Sequence, residues 1–200
     1  HIGYIFIKVF CKHLNSNVPI DIRSWLSKKS GVAGLQAIAT AKRLGAKYTK
    51  FSENDILKIA AEELSKEKTI GWFQGRMEFG PRALGARSII ADPRSNKMQK
   101  NLNLKIKFRE SFRPFAPSII REDLTKWFEL DVDSPYMLLV ADVNKSIRKN
   151  PSEIEKKLFG IEKLNFKRSD IPAVTHVDYS ARIQTVHKET NSRYYKLIKY

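Results

Sequence analysis

Two hundred residues can bury one real core, and a chain that is 42% hydrophobic and 29% charged is too apolar to remain disordered. Its 37 Lys and Arg against 21 Asp and Glu leave a formal charge of +16, which implies an anionic partner such as nucleic acid, nucleotide or small phosphate. The single cysteine, Cys11, excludes a disulfide framework and a cysteine-based zinc site, and fits a reducing cytoplasm. The apolar opening over 1–10 is too short to span a membrane, is interrupted by Lys8 and has no small-residue cleavage site behind it. We therefore expect no membrane association and no signal peptide. A chain that opens on His1 is expected to be a piece of a longer polypeptide.

Residues 1–50 read as an N-terminal appendage or linker remnant. Val18-Pro19 breaks any early element, and Val32, Leu35, Ile38 and Ala39 place a helix over 31–44 that Gly45 stops. The compact domain, 51–200, begins with a helix. Ser52 and Asp55 resemble a capping box, and Ile56, Ile59, Ala60 and Leu64 form one apolar face. Residues 69–74 read as a short buried strand. Gly75 and Gly80-Pro81 then mark a turn, with Pro81 placed for the first position of a short helix. A strand over 88–91 ends at Asp92-Pro93, and Ser95 is placed to cap a helix carrying Met98 and Leu102.

Over 105–113 basic and apolar residues alternate, which predicts a strand or extended loop with Lys105, Lys107 and Arg109 on one side and Ile106 and Phe108 on the other. Pro114 and Pro117 exclude a helix there. A helix over 122–128 is anchored by Leu124, Trp127 and Phe128, and a buried strand covers 136–143. Residues 144–170 read as a lysine-rich surface insertion with one amphipathic piece, 154–159. A strand over 172–177 turns at 178–180 and returns over 181–186 as its hairpin partner, with Arg182 directed into a cleft. His176 reads as a hydrogen-bonded structural histidine because no second ligand lies at metal-binding spacing. Residues 191–200 read as helical.

Chemistry concentrates at the 71–88 junction, where Arg76, Arg82, Arg87 and Glu78 surround a glycine-rich turn. Glycines let N–H groups approach an anion, and arginine forks match phosphate or carboxylate oxygens. The whole junction reads as an anion site, whereas Arg76 or Arg87 alone reads better as a surface ion-pair partner. Lys107, Arg109 and Arg113 form a second basic segment. It reads either as an anion site or as an edge strand guarded by charge, and the Arg113-Pro114 pair favours the site. Phe108, Phe112 and Phe115 are expected to anchor it to the core.

Four blocks in order, 71–88, 107–117, 134–140 and 172–186, resemble the C-terminal domain of the NodU/CmcH family of carbamoyltransferases, over roughly 51–200. The resemblance implies an α/β (α+β) fold, a YrdC-like twisted mixed sheet with flanking helices. It implies binding of ATP and carbamoyl phosphate and formation of a carbamoyl-adenylate, with Mg2+ accompanying the ATP. By motif, the phosphate-handling groups would be Arg82, Lys107, Arg113 and Arg182, with Arg109 nearby. Lys107 and Arg113 would act in the catalytic step. In the family a separate domain of the sugar-kinase superfamily carries a metal and passes the carbamoyl group to a hydroxylated small-molecule acceptor.

Three departures stand out. Residues 1–50 show neither a sugar-kinase-like domain nor a metal-ligand cluster. The family's Ser-x-Asn nucleotide-binding segment would follow Tyr200, so the domain is expected to be truncated at its C-terminus. Where the family leads us to expect Asp-Gly-Thr-Ala-Arg, this chain has Asp178-Tyr179-Ser180-Ala181-Arg182. Two other readings stay open: a basic YrdC-like domain that holds RNA through phosphate contacts, and an inactive, truncated homologue.

Overall fold

The computed structural model of the chain describes residues 5–6, 43, 49–76, 78–152, 159, 164 and 166–200. The helix read over 31–44 and the amphipathic piece over 154–159 lie almost wholly outside these residues. Strands β1 (Ile5–Phe6) and β2 (Thr49–Lys50) pair antiparallel. Helix α1 (Glu53–Ser65) then starts where the capping pattern placed it: Ser52 Oγ accepts the Asp55 N–H at 3.2 Å and donates to Asp55 Oδ2 at 2.6 Å. Ile56, Leu57 and Ala60 are buried. Strand β3 (Ile70–Phe73) alternates strictly, with Ile70 and Trp72 inside and Gly71 and Phe73 outside. It pairs antiparallel with β4 (Arg87–Ile90).

The segment after β4 departs from the alternation. Helix α2 (Met98–Leu102) runs on into one π-helical turn, Asn103–Lys107, ended by Phe108 in the left-handed region at φ 50°. The reason is packing. Met98, Leu102 and Ile106 recur every four residues and meet Ala173 in one apolar cluster, a helical period that outweighs the alternation of charge. Ser95 does not cap α2 through its side chain; only its carbonyl receives the Met98 N–H. From Pro114 to Pro117 the chain is non-helical, as the prolines require.

Strand β5 (Ser118–Ile120) is followed by a 3-10 turn, Arg121–Asp123, and helix α3 (Leu124–Trp127), which buries Leu124 fully and sets Phe128 beneath it. Strand β6 is confined to Val140–Asp142. The stretch before it is not the buried strand that its composition suggested, since Tyr136, Leu138 and Val140 are all exposed. Residues 171–174 form a turn rather than a strand. Ile171 O accepts both the Val174 N–H and the Thr175 hydroxyl, which closes the backbone locally. With no strand there, the return segment divides at Ile183. Strand β7 (Ser180–Arg182) pairs antiparallel with β6, and β8 (Gln184–Val186) pairs parallel with β5. Helix α4 (Ser192–Lys199), capped by Asn191, packs Tyr194, Tyr195 and Leu197 onto α1 and β3.

Helices and mixed parallel and antiparallel pairs place the protein in the α/β class. Two larger clusters carry the core. One joins α1, β3, Ile120, Val186 and α4; the other joins Ile119, α3, Phe128, Val143, Ile171 and Ile183. Strand β5 contributes to both, Ile120 to the first and Ile119 to the second, while its parallel partner β8 adds Val186 to the first. No described helix is long and apolar enough to cross a membrane.

Candidate functional site

The turn after β3 is held open by a side chain. Glu78 Oε1 accepts the N–H groups of both Leu84 and Ala86 at 2.7 Å, and Ser88 Oγ accepts that of Gly85 at 2.9 Å. Donors satisfied in this way are not available for i→i−4 bonds, so no helix starts at Pro81 and residues 79–86 stay a loop. Gln184 Nε2 donates to Leu84 O at 2.8 Å, and the Gln74 N–H donates to Ala86 O at 2.9 Å. Gly85 sits at φ 106°, with the Tyr194 ring 2.4 Å from where a Cβ would stand. Only glycine fits there. Burial holds the Tyr194 phenol above its ordinary pKa, with Glu78 adding to the effect and a hydrogen bond to Ser118 opposing it.

This loop forms one wall of a cleft of about 660 Å³, lined also by Gln74, Tyr136, Gln184, His187 and Asn191. Ser134 fixes the opposite wall. Its N–H bonds Thr185 Oγ1 at 2.9 Å and its hydroxyl donates to Ile183 O at 2.8 Å, which ties the 134–139 loop to β8.

The basic segment is built differently. Asn103, fully buried, uses both amide hydrogens on the carbonyls of Ser111 (3.1 Å) and Arg113 (2.8 Å), and its Oδ1 accepts Arg109 Nε at 2.6 Å. Arg109 also lies 4.9 Å from the Phe115 ring centre. Burial pulls its pKa down and the neighbouring Arg113 adds to this, with Glu110 opposing. The main anchor is therefore a buried asparagine, helped by Gln99, whose Nε2 donates to Phe112 O at 2.8 Å. Phe108, at 84% exposure, and Phe112 do not anchor the segment, and Phe115 alone of the three packs inward.

Of the five cations singled out in the sequence, Arg109 and Arg113 are brought together, and Lys107 stands just before them, exposed at the end of the π turn. Arg82 is half-buried in the 79–86 loop and Arg182 is exposed at the end of β7. Neither lines the 660 Å³ cleft, and among the described residues no hydrogen bond or ion pair links them to the 107–113 segment. Lys107, Arg113, Arg82 and Arg182 have no acidic partner among those residues. His176 is the structural histidine expected, donating Nδ1–H to Asp178 at 2.9 Å. No described group of three His, Cys, Asp or Glu could hold a metal.

Sequence reasoning missed Gln74, Gln184 and Asn191, and gave Glu78 no role. Glu78 lay in view, the one acid in a run of three arginines. The other three become neighbours only through β5–β8 pairing and the docking of α4, which leave no local trace.

The family model "Carbamoyltransferase C-terminus" matches residues 61–200. The Synechocystis protein sll1178 is 59% identical over 152 residues, 76% of this chain and 25% of that protein. The nodulation protein NolNO of Sinorhizobium fredii is 41% identical over 72% of this chain and 19% of its own length. The 3'-hydroxymethylcephem-O-carbamoyltransferase of Amycolatopsis lactamdurans is 36% identical over 83% and 27% respectively. The chain belongs to the carbamoyltransferase family, matching its C-terminal region. It spans about a quarter of the length of the curated relatives it matches.

Proposed function

We propose that this chain is the carbamoyl-activating part of an ATP-dependent O-carbamoyltransferase. Carbamoyl phosphate and ATP are its substrates, and a hydroxylated small molecule is the final acceptor. The observation that carries the reading is the basic segment. Asn103 holds the Arg109 guanidinium and the Arg113 carbonyl, which keeps the two arginines on one short loop, and Lys107 and Arg113 have no acidic partner among the described residues. Neighbouring guanidiniums repel, and the repulsion is relieved when an anion sits between them.

Forming a carbamoyl-adenylate consumes one water and releases pyrophosphate from ATP and phosphate from carbamoyl phosphate. That chemistry asks the protein for alignment and charge neutralisation more than for a nucleophile. Lys107 supplies a compact charge, while Arg113, Arg82 and Arg182 supply forks. Arg109, held by Asn103 and Phe115, supplies a fixed positive field rather than a mobile contact. Mg2+ would arrive with the ATP, bound mainly by phosphate oxygens. Transfer to the hydroxyl would belong to a partner domain of the sugar-kinase type with its own metal.

The test is pyrophosphate release that depends on both ATP and carbamoyl phosphate, assayed with the full-length protein. Lys107→Ala and Arg113→Ala are each expected to lose about 30- to 1000-fold, equivalent to roughly 2–4 kcal/mol of transition-state stabilisation. Both side chains are exposed, so circular dichroism should be unchanged. Lys58→Ala, on the solvent face of α1, is the control and should keep full activity. Full activity from folded Lys107→Ala and Arg113→Ala proteins would reduce the segment to a charged edge.

A further inference from the structure

The hydrogen bonds of the basic segment converge on Asn103, which is fully buried. Its carbonyl oxygen closes the π turn by accepting the Phe108 N–H, and it also accepts the Arg109 N–H at 3.1 Å. Its Oδ1 accepts Arg109 Nε, and its two amide hydrogens go to the carbonyls of Ser111 and Arg113. The amide cannot be turned round, because the two carbonyls only accept and the Nε–H only donates. Both amide hydrogens and the amide oxygen are therefore engaged. A buried polar group satisfied in this way selects one geometry for the loop around it.

That geometry ends at Arg113. Its carbonyl is tied to Asn103 at 2.8 Å, and Pro114 behind it confines the arginine's own backbone to extended conformations. The root of the side chain is fixed while the side chain itself stays exposed. A charged group reached from a fixed root need not be reorganised when phosphate charge shifts in the transition state. We propose that Asn103 is a positioning residue for carbamoyl activation: it touches no substrate, and by holding the Arg113 carbonyl it sets where the Arg113 guanidinium meets phosphate. The inference rests on the carbamoyl-phosphate reading above and deepens it.

A stabilising residue and a positioning residue both lower activity when they are removed. They differ once Arg113 is gone. Lost folding stability cuts the amount of competent enzyme by the same factor with or without Arg113, so the two losses multiply. Lost positioning has no guanidinium left to misplace, so the second loss disappears.

Pyrophosphate release that depends on ATP and carbamoyl phosphate separates the two, measured with the full-length protein in wild type, Asn103→Ala, Arg113→Ala and the double variant. Asn103→Ala is expected to lose about 10- to 100-fold in kcat/KM, the order that a misplaced contact costs. In the Arg113→Ala background the same change should cost less than about twofold. Asn103→Asp supplies a second cycle in case the alanine variant does not fold. It keeps the size and an oxygen for Arg109 Nε, but it turns a second oxygen toward the carbonyls of Ser111 and Arg113. The same pattern is expected from it. Equal losses in both backgrounds would make Asn103 purely structural and overturn the inference, as would failure of both variants to fold. Wild-type activity from either folded variant overturns it too. In all these cases the carbamoyl-phosphate reading stands. Full activity from Arg113→Ala would bring down the reading and the inference together.

Discussion

Two loops carry the candidate chemistry, and they are held by opposite means. The 79–86 loop is tied by Glu78 and Ser88, which flank it, and from far along the chain by Gln184 and the ring of Tyr194. The 108–113 loop hangs from the helix just before it, through buried Asn103, six residues before the arginine it orients, and through Gln99, which donates to Phe112 O. The first forms a wall of the 660 Å³ cleft, and the second presents cations to solvent. A loop pinned by long-range contacts forms only when the whole domain does. One pinned by a near neighbour forms with its own helix. The comparison predicts that insults to the first loop spread into global stability, whereas insults to the second stay more local.

The sharpest way to break the comparison is Gly85→Ala. The new Cβ would stand 2.4 Å from the Tyr194 ring at a backbone φ of 106°, which combines a clash with a conformation that alanine resists. A loss of about 3 kcal/mol or more is expected, read by denaturant unfolding. Because Tyr194 belongs to the cluster that joins α1, β3 and α4, unfolding should remain a single transition. A change below about 1 kcal/mol would mean that the ring does not press on this loop.

Asn103→Ala is the matching test of the other loop. It leaves two carbonyls and one guanidinium, all partly buried against Asn103, without that partner, so about 2–3 kcal/mol is expected. Hydrogen exchange should rise first over 108–113 and much less over 79–86. Equal rises in both loops would erase the distinction.

The contrast also explains what the sequence revealed. Helix α1 was legible because Ser52, Asp55 and the spacing of Ile56 and Ala60 all speak within one window. β3 was legible through its β-branched and aromatic residues, and the turn at 178–180 through Asp178 and Ser180. The cationic residues were legible because arginines and lysines at a surface need no partner to be recognised. The 660 Å³ cleft was not legible. Gln74, Gln184 and Asn191 are ordinary polar residues until β8 pairs with β5 and α4 docks. The 105–113 segment misled because two periods coexist there, charge alternating by two and apolar residues recurring by four. The inward-facing Met98–Leu102–Ile106 stripe decided the outcome.

A smaller effect separates strain from packing at Tyr179. It holds φ 67° where glycine was expected from the family pattern, a conformation that costs a non-glycine residue about 1 kcal/mol. Its ring lies 5.2 Å from the Arg148 guanidinium and its hydroxyl donates to Lys149 O at 3.2 Å. Those contacts offset the strain. Tyr179→Ala keeps the strain and loses the contacts, whereas Tyr179→Gly loses both. Thermal unfolding should therefore place Tyr179→Ala below Tyr179→Gly by about 1 kcal/mol. Equal stabilities would show that the backbone there is relaxed.

The smallest effect concerns acid. Asp178 accepts hydrogen bonds from the Ser180 hydroxyl at 2.7 Å, the Ser180 N–H at 3.0 Å and His176 Nδ1 at 2.9 Å. These bonds, those of Ser180 above all, lower its pKa to about 2 against opposing desolvation. The native state therefore holds the ionised carboxylate more tightly than the unfolded chain does. That contribution is fully present above the unfolded value of about 4 and is lost as pH falls through about 2. The side chain is 63% exposed, so solvent screening keeps the gain under about 1 kcal/mol. Other carboxylates titrate over the same range, and the informative quantity is the difference between wild type and Asp178→Asn. The melting-temperature gap between the two should be widest above pH 4 and should close between pH 4 and pH 2. A gap that stays constant through this window would mean that the Asp178 turn is held by its shape and not by its charge.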